Sequence, residues 1–480
     1  MNPSRKLPLL LGVLLSGTCW YLAFDLSLHA WWALWLAPVP VLVGAMQVKG
    51  FQAFGIAFAA FLIGRLSWWP YLHSVLPLAP AILFTIGFPL VFGLIILAAR
   101  KIIPKVSPAV GVFVYPVVWT AFEFLQFLFS RDGTIASIAY TQCDFLPLVQ
   151  VASITGVLGM TFLVSWISSV AALSWYYHSQ GVKVRKPIGI ALLVLGVVLS
   201  YGLIRLYAAQ PQEEAGKSAP QGAPNPIKVG LAAIPMKPEG SLVSRYLQEV
   251  RALAGQGATV VLLPEKGIPV PDTAEATITR LLAEEALHSR ITIIAGVTRL
   301  YKDHPECQAW VVSPEGRLLL NYRKVNLFEG EVYEGFVPGK APGFFNQHGQ
   351  IAGVAICKDL DYEKYIRLYR QRGASILYVP AWDFNRDGWF HCRIAMMRAV
   401  ENGYSLVRNA RDGRLTISDD RGRVSAEASA EDGRRAFLTG ELLPSANATL
   451  YSRWGDWFGW VNLVVAVGFL LVLFLKKRLR

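Results

Sequence analysis

The sequence predicts a protein of two parts, an α-helical polytopic membrane domain and an α/β domain. Three observations carry that expectation. Apolar runs long enough to cross a bilayer crowd residues 1–209 and recur once at 457–475. A Pro/Gly/polar stretch, 210–226, follows the N-terminal runs and reads as a flexible linker. Beyond it, short β-branched and aliphatic runs alternate with helical patterns. A mean hydropathy of +0.39 with only 16% charged residues requires much of the surface to lie in lipid.

The apolar runs begin near Leu7, Trp31, Phe51, Ala81, Val110, Gly159 and Ile188, so that with 457–475 they predict eight spans. Basic residues orient them. Arg5 and Lys6 precede the first span, Lys49 follows the second, and Arg100, Lys101 and Lys105 follow the fourth. Lys183, Arg185 and Lys186 follow the sixth, and Lys476, Lys477, Arg478 and Arg480 end the chain. In an alternating model all of these clusters share one side, which the positive-inside rule makes cytoplasmic; Arg131 is the main exception among the opposite loops. The domain at 227–444 is therefore expected outside the cytoplasm, with 445–480 returning through the membrane to a basic tail. The first span has no small-residue cleavage site and reads as a retained anchor. Glu123 and Arg65 fall within or near spans, where a charge is either functional or snorkels to the headgroups.

A net charge of +13 invites a nucleic-acid reading, but much of the excess sits in the orienting loops and no basic stripe interleaves with aromatics. The cysteines, Cys19, Cys143, Cys307, Cys357 and Cys392, have neither zinc-site nor disulfide-framework spacing. No metal or organic cofactor has a recognisable site. One bridge among the exported cysteines other than Cys357 stays open.

Strand-like runs are expected at 227–234, 258–263, 291–297, 309–313, 317–322, 351–356, 375–379, 405–408 and 415–418, with helical patterns at 241–255 and 273–289. Three polar residues close such strands: Glu265 after 259–264, Lys324 after 318–323, and Cys357 after 351–356. A helical stretch follows Cys357, whose thiolate the helix N-terminal amides would favour. Their chemistry divides into three roles: Cys357 a nucleophile, Glu265 a general base and then acid, and Lys324 a fixed cation beside a developing oxyanion. A lone cysteine is more often a small hydrophobe, the reading given to Cys19, Cys307 and Cys392. His391, on a helical stretch 389–402, is not needed by this scheme.

Pro264-Glu265, Tyr322-Arg323-Lys324 with Leu327-Phe328, and Cys357 at a strand end resemble the Glu-Lys-Cys signature of the nitrilase, or carbon-nitrogen hydrolase, superfamily. With the flanking spans the chain resembles the bacterial apolipoprotein N-acyltransferase family. Tyr140-Thr141-Gln142 before Gly156-Val157-Leu158-Gly159, and the segment 450–457, agree with it. The resemblance implies an αββα four-layer sandwich for 227–444. It implies a second glutamate, assigned to Glu334 with Glu331 as the alternative, and substrate contacts from Trp382, Lys358 and Asp359, with Trp382-Asp383 on a loop over the site. The family usually has an aromatic residue and then glutamate after the nucleophile, where this chain has Lys358-Asp359. The loop after Lys324 also departs from the family's Pro-Phe-Gly-Glu pattern towards that of soluble amidases.

The function so implied is transfer of a fatty acyl group from a phospholipid, through a Cys357 thioester, to the N-terminal amine of a diacylglyceryl-cysteine lipoprotein at the outer face of the bacterial cytoplasmic membrane. A membrane-anchored amidase with the same triad is the alternative. A transporter or scaffold carrying an inactive domain is a third, disfavoured by the intact trio.

Overall fold

The structure, a computed structural model, describes residues 3–182, 185–207, 225–236, 241–445 and 447–475. It divides into two compact units, Met1–Tyr207 with Asp456–Arg480, and Ala208–Gly455. Most of the expected linker, Lys183 and the basic residues of the C-terminal tail lie outside the described residues.

The helical unit contains α1 (Pro3–Phe24), α2 (Pro38–Gln47), α3 (Gly50–Arg65), α4 (Leu78–Ile102), α5 (Val114–Phe129), α6 (Val157–Ser179) and α7 (Arg185–Tyr207), with Trp457–Leu475 as the C-terminal helix. All eight expected spans fold as apolar helical segments. Among the described residues, six segments are long and apolar enough to cross a membrane, while Ala33–Gln47 and Trp457–Leu473 are shorter. The second span is cut short because Pro38 and Pro40 lack amide hydrogens, so the chain divides into Ala33–Leu36 and α2 around Ala37. Leu83, Leu192, Leu193, Val197 and Val464 stay largely exposed, as lipid-facing side chains should.

Buried polar groups knit this unit. Glu123 on α5 accepts from Trp119 Nε1 (3.0 Å), Ser137 Oγ (2.7 Å), the Ile138 amide (2.9 Å) and Thr161 Oγ1 on α6 (2.7 Å). It is 1% exposed, so it does not snorkel. Gln142, from the Tyr140-Thr141-Gln142 motif, accepts from Trp35 Nε1 (2.8 Å) and donates to the Trp31 carbonyl (2.9 Å), fixing the entry to the second span.

The α/β unit is built on strands β1 (Ile227–Ala233), β2 (Val260–Leu262), β3 (Ile268–Pro271), β4 (Thr292–Leu300), β5 (Pro305–Val312), β6 (Leu318–Arg323), β7 (Gly343–Gln347), β8 (Gln350–Val354), β9 (Ile376–Trp382), β10 (Ser405–Arg411), β11 (Arg414–Ser418), β12 (Val424–Ser429) and β13 (Ala436–Leu442). One sheet has the order β13-β1-β2-β4-β5-β6, with β3 also pairing with β4; the other runs β12-β11-β10-β9-β8-β7. The pairs β1–β2, β2–β4, β8–β9 and β9–β10 are parallel.

Side-chain alternation produces the layers. In β2, Val260 and Leu262 point into a core shared with the other sheet, while Val261 points into a second core against helices α8 (Leu242–Gly255) and α9 (Glu275–Ser289). In β9, Ile376 and Tyr378 enter the shared core, while Leu377 and Val379 enter a third, against α10 (Glu363–Gln371) and α11 (Gly388–Asn402). Central strands are thus buried on both faces, which is why they read as unbroken apolar runs. Three cores between two sheets and two pairs of helices make the αββα sandwich. The unit extends past 444 to Gly455: the Ser445 amide donates to Ser375 O (3.1 Å), and Thr449 Oγ1 to Glu401 O.

A polar side chain ties the two sheets across the shared core. Asn409 on β10 donates through Nδ2 to the carbonyls of Ala232 (2.9 Å) and Leu262 (2.6 Å) on the opposite sheet. Asn409→Ala should destabilise this unit by about 2 kcal/mol or more, since buried acceptors left without donors cost on the order of 1–3 kcal/mol each. A denaturant midpoint unchanged within error would show that the sheets need no polar tie.

Candidate active site

Glu265, Lys324 and Cys357 each follow the carboxyl end of a strand, β2, β6 and β8 respectively. The two sheets meet at Glu265, whose amide donates to Ala381 O on β9 (3.2 Å), while the Lys324 amide continues the β5–β6 pairing within its own sheet, donating to Cys307 O (2.9 Å). At Gly296, on β4, a Cβ would collide with the Pro264 carbonyl and lie 2.8 Å from the Glu265 Cα, so glycine lets the strand pass beneath the glutamate.

Lys324 is 2% exposed, and its Nζ lies 2.7 Å from Glu265 Oε1 and 2.8 Å from Glu331 Oε2. Burial opposes its charge, but these two carboxylates outweigh that and hold its ammonium well above the usual lysine range. Glu331 in turn accepts from the Phe328 amide (2.8 Å) and pairs with Lys266 Nζ (2.8 Å). Despite burial, the two lysines hold its carboxyl down to about 2. The alternative assignment of the second glutamate is therefore the one the geometry brings to the lysine. Glu334 caps the short helix Glu329–Tyr333 and is exposed.

Cys357 has φ +43°, a left-handed conformation rare for a residue with a Cβ. Its Sγ is 3.5 Å from the Trp382 carbonyl. The expected thiolate at a helix N-terminus is corrected by the structure. The turn Cys357–Asp361 is 3₁₀, and burial, reinforced by the Glu265 carboxylate, pushes the thiol well above its ordinary value against the pull of Lys324. Cys357 is thus held as a neutral thiol with a carboxylate near enough to feel it. Cys307 is buried behind that carboxylate, its Sγ 3.3 Å from Glu265 Oε1, where burial also keeps it neutral. Cys392 is buried, and all five cysteines are free.

Asp359 and Lys358 do not face an open pocket as expected. Asp359 is fully buried, accepting from the Ile356 amide (2.9 Å), the Asn326 amide (2.8 Å), Asn326 Nδ2 (3.0 Å) and the Tyr322 hydroxyl (2.6 Å). It clamps the nucleophile's turn to the strand end that carries Lys324. Lys358 is buried beside Asp361, at 3.9 Å. Trp382 does reach the site, its ring 3.8 Å from the Arg411 guanidinium and 5.5 Å from Lys266, its indole donating to Asp412 (2.9 Å). Asp383 pairs in two hydrogen bonds with buried Arg408 (2.9 and 2.6 Å), and His391 with Asp387 (3.1 Å).

Sequence reading missed Lys266 and Arg411, although Lys266 directly follows Glu265. Glu265, Cys307 and Glu331 offer atoms within 4.8 Å of one another, a spacing that suits a metal. The Lys324 ammonium already bonds both carboxylates, so the site's cation is the lysine and this donor set does not fit a metal.

The chain is similar to known proteins over both units. A carbon-nitrogen hydrolase family model matches residues 228–437, and an apolipoprotein N-acyltransferase N-terminal domain model matches 16–170. The chain is 23% identical to an apolipoprotein N-acyltransferase of Geobacter metallireducens over 93% of this chain and 91% of that one. It is 27% identical to one of Bradyrhizobium diazoefficiens over 71% and 69%. Among solved structures, an amidase from Nesterenkonia sp. is 22% identical, with a TM-score of 0.40 over 45% of this chain and 90% of that one.

Glu331→Gln should lower turnover on the order of a hundredfold, as loss of a preorganised charge does, while Glu334→Gln should stay within about twofold. Equal losses would return the role to Glu334. Because the folded Glu331 value lies below the unfolded value of about 4.3, its contribution to stability is complete above that pH and disappears as pH falls through about 2. The stability gap between wild type and Glu331→Gln, read by denaturation, should narrow over that window.

Proposed function

We propose, from the premise that this chain belongs to the apolipoprotein N-acyltransferase family, that it moves a fatty acyl group from a phospholipid to the N-terminal amine of a diacylglyceryl-cysteine lipoprotein. The observation that carries the reading is the buried Glu265–Lys324–Glu331 cluster beside Cys357 in a chain that also matches the family's membrane domain.

The first half-reaction begins from the neutral Cys357 thiol. Glu265 takes its proton, and the thiolate attacks the ester carbonyl. Lys324, unable to lose its charge between two carboxylates, stabilises the oxyanion. Collapse forms the thioester and expels a lysophospholipid alkoxide, which recovers the proton from Glu265. In the second half-reaction the acceptor amine attacks the thioester, Glu265 takes a proton from the nitrogen, and the Cys357 thiolate leaves and is reprotonated. The thioester keeps the acyl group activated while a lipid leaves and a larger acceptor arrives. Glu331 anchors Lys324, and the Trp382 ring, held between cations, is the candidate contact for the substrates.

An amide in place of the ester and water in place of the acceptor amine would make the protein an amidase. The Lys358-Asp359 pair does not favour that reading, because Asp359 is spent on the turn behind the nucleophile.

With phospholipid and no acceptor, intact mass should show one acyl adduct on wild type and none on Cys357→Ala. Glu265→Gln should load the adduct at least about a hundredfold more slowly, within the range general bases contribute. Wild-type loading by Glu265→Gln would move the base elsewhere. An amine chase that leaves the adduct intact while water removes it would select the hydrolase.

The basic loops support a cytoplasmic-membrane protein with the α/β unit on the outer face. Reporter fusions within 227–444 should be active only outside the cytoplasm, and a fusion after Arg480 only inside. A cytoplasmic signal from the α/β unit would overturn this topology.

A further inference from the structure

Arg65 closes α3 and is 4% exposed. Its guanidinium is surrounded by aromatic rings, 4.7 Å from the centroid of Trp68, 5.2 Å from Phe88 and 5.8 Å from Phe24. Among the described residues no hydrogen bond or ion pair reaches it, and its Nε is sealed from solvent without an acceptor. In the same unit Glu123 is held by its own donors, and Asp25 by Ser27 and Leu28. An arginine remains charged at any pH a protein meets. Ring faces attract the charge but accept none of its in-plane N–H donors, so the guanidinium lacks an anion.

Its level in the unit says which anion could arrive. Trp68 Nε1 donates to the carbonyl of Phe24, the last residue of α1, at 2.7 Å. Arg65 therefore sits within one turn of the level at which α1 ends. On the topology proposed above this is the outer side, where the loops carry almost no basic residues, so Arg65 is not an orienting charge. Helix α4, which supplies Phe88, exposes Leu83, Ile86, Leu90 and Leu94 on the face opposite to Phe88, as a lipid-facing helix does. Planar bidentate donors at the outer level of a membrane-spanning unit match a phosphodiester with tails.

We propose that Arg65, boxed by Phe24, Trp68 and Phe88, binds the phosphate of one phospholipid in the helical unit. The proposal rests on the membrane reading but not on the assignment of Cys357, and the two can fail separately.

The test uses full-length protein in the Cys357→Ala background, delipidated in non-ionic detergent, so that no acyl transfer obscures binding. Phosphatidylglycerol, diacylglycerol of the same chains, and inorganic phosphate are titrated in turn and bound species counted by native mass spectrometry. Wild-type Arg65 should retain one phosphatidylglycerol at least tenfold more tightly than Arg65→Met, with Arg65→Lys between them. Diacylglycerol should not distinguish the variants, and millimolar inorganic phosphate should not displace the lipid. Equal phosphatidylglycerol binding by wild type and Arg65→Met overturns the proposal, as does displacement by inorganic phosphate, which would make this a free-anion site. Should Arg65→Met not fold, loss of retention in Trp68→Leu supports the box and unchanged retention overturns it.

Discussion

The charge on Lys324 is the constraint around which the α/β unit is arranged. An ammonium 2% exposed cannot persist alone, because desolvation costs several kcal/mol. Two carboxylates meet it at hydrogen-bond distance, and they come from different places in the sequence: the end of β2 and the turn after β6. Removing either partner would leave an unbalanced buried charge, a loss on the order of 3–5 kcal/mol. Glu331 is itself held by Lys266, so charges alternate along a short chain of groups. Such a chain suits the proposed reaction because its field is fixed before a substrate arrives. Lys324 divides its charge between the two carboxylates.

Cys357, the proposed nucleophile, is held by a different device. Cys357 occupies a left-handed conformation that costs on the order of 1 kcal/mol or more, so something must over-determine its turn. Asp359 does so, binding the turn's own backbone through Ile356 and the opposite strand end through Tyr322 and Asn326. Since Asn326 lies two residues from Lys324, one buried carboxylate sets the spacing between nucleophile and cation. The strain therefore has a role: it turns the thiol to the end of the sheet, where Glu265 and Lys324 are.

This division of labour accounts for what could be read in the sequence. The trio was legible because each member ends an apolar strand, and a polar residue at such an end is conspicuous. The layers were legible only as α/β, since a strand buried on both faces carries no alternation; its two cores become visible only when Val260 and Val261 are seen to point apart. The second glutamate was not legible, because Glu329, Glu331 and Glu334 differ only by where a five-residue helix turns each of them. Asp359 was misread for a related reason. Next to the nucleophile in sequence, it looked like a substrate contact, whereas the turn points it backwards. The thiol's protonation state depends on burial, which a strand-end pattern does not reveal. In the helical unit the spans were legible from hydropathy, but the cut in the second one required weighing Pro38 and Pro40 against the apolar run.

Hydropathy also says nothing about whether a set of helices is an anchor or a built structure, and here the polar interior decides. An anchor needs only apolar length, and any buried polar group would weaken it without return. This unit instead buries Glu123 with donors from α5, α6 and the turn between them, and uses Gln142 to fix the approach to the second span. Such networks are costly unless every member is satisfied, and satisfied they specify one packing over its competitors. A helical unit that invests in a unique interior is suited to holding particular molecules at particular positions. That requirement arises for an enzyme whose donor is a lipid, and does not arise for a hydrolase that merely needs to remain at the membrane.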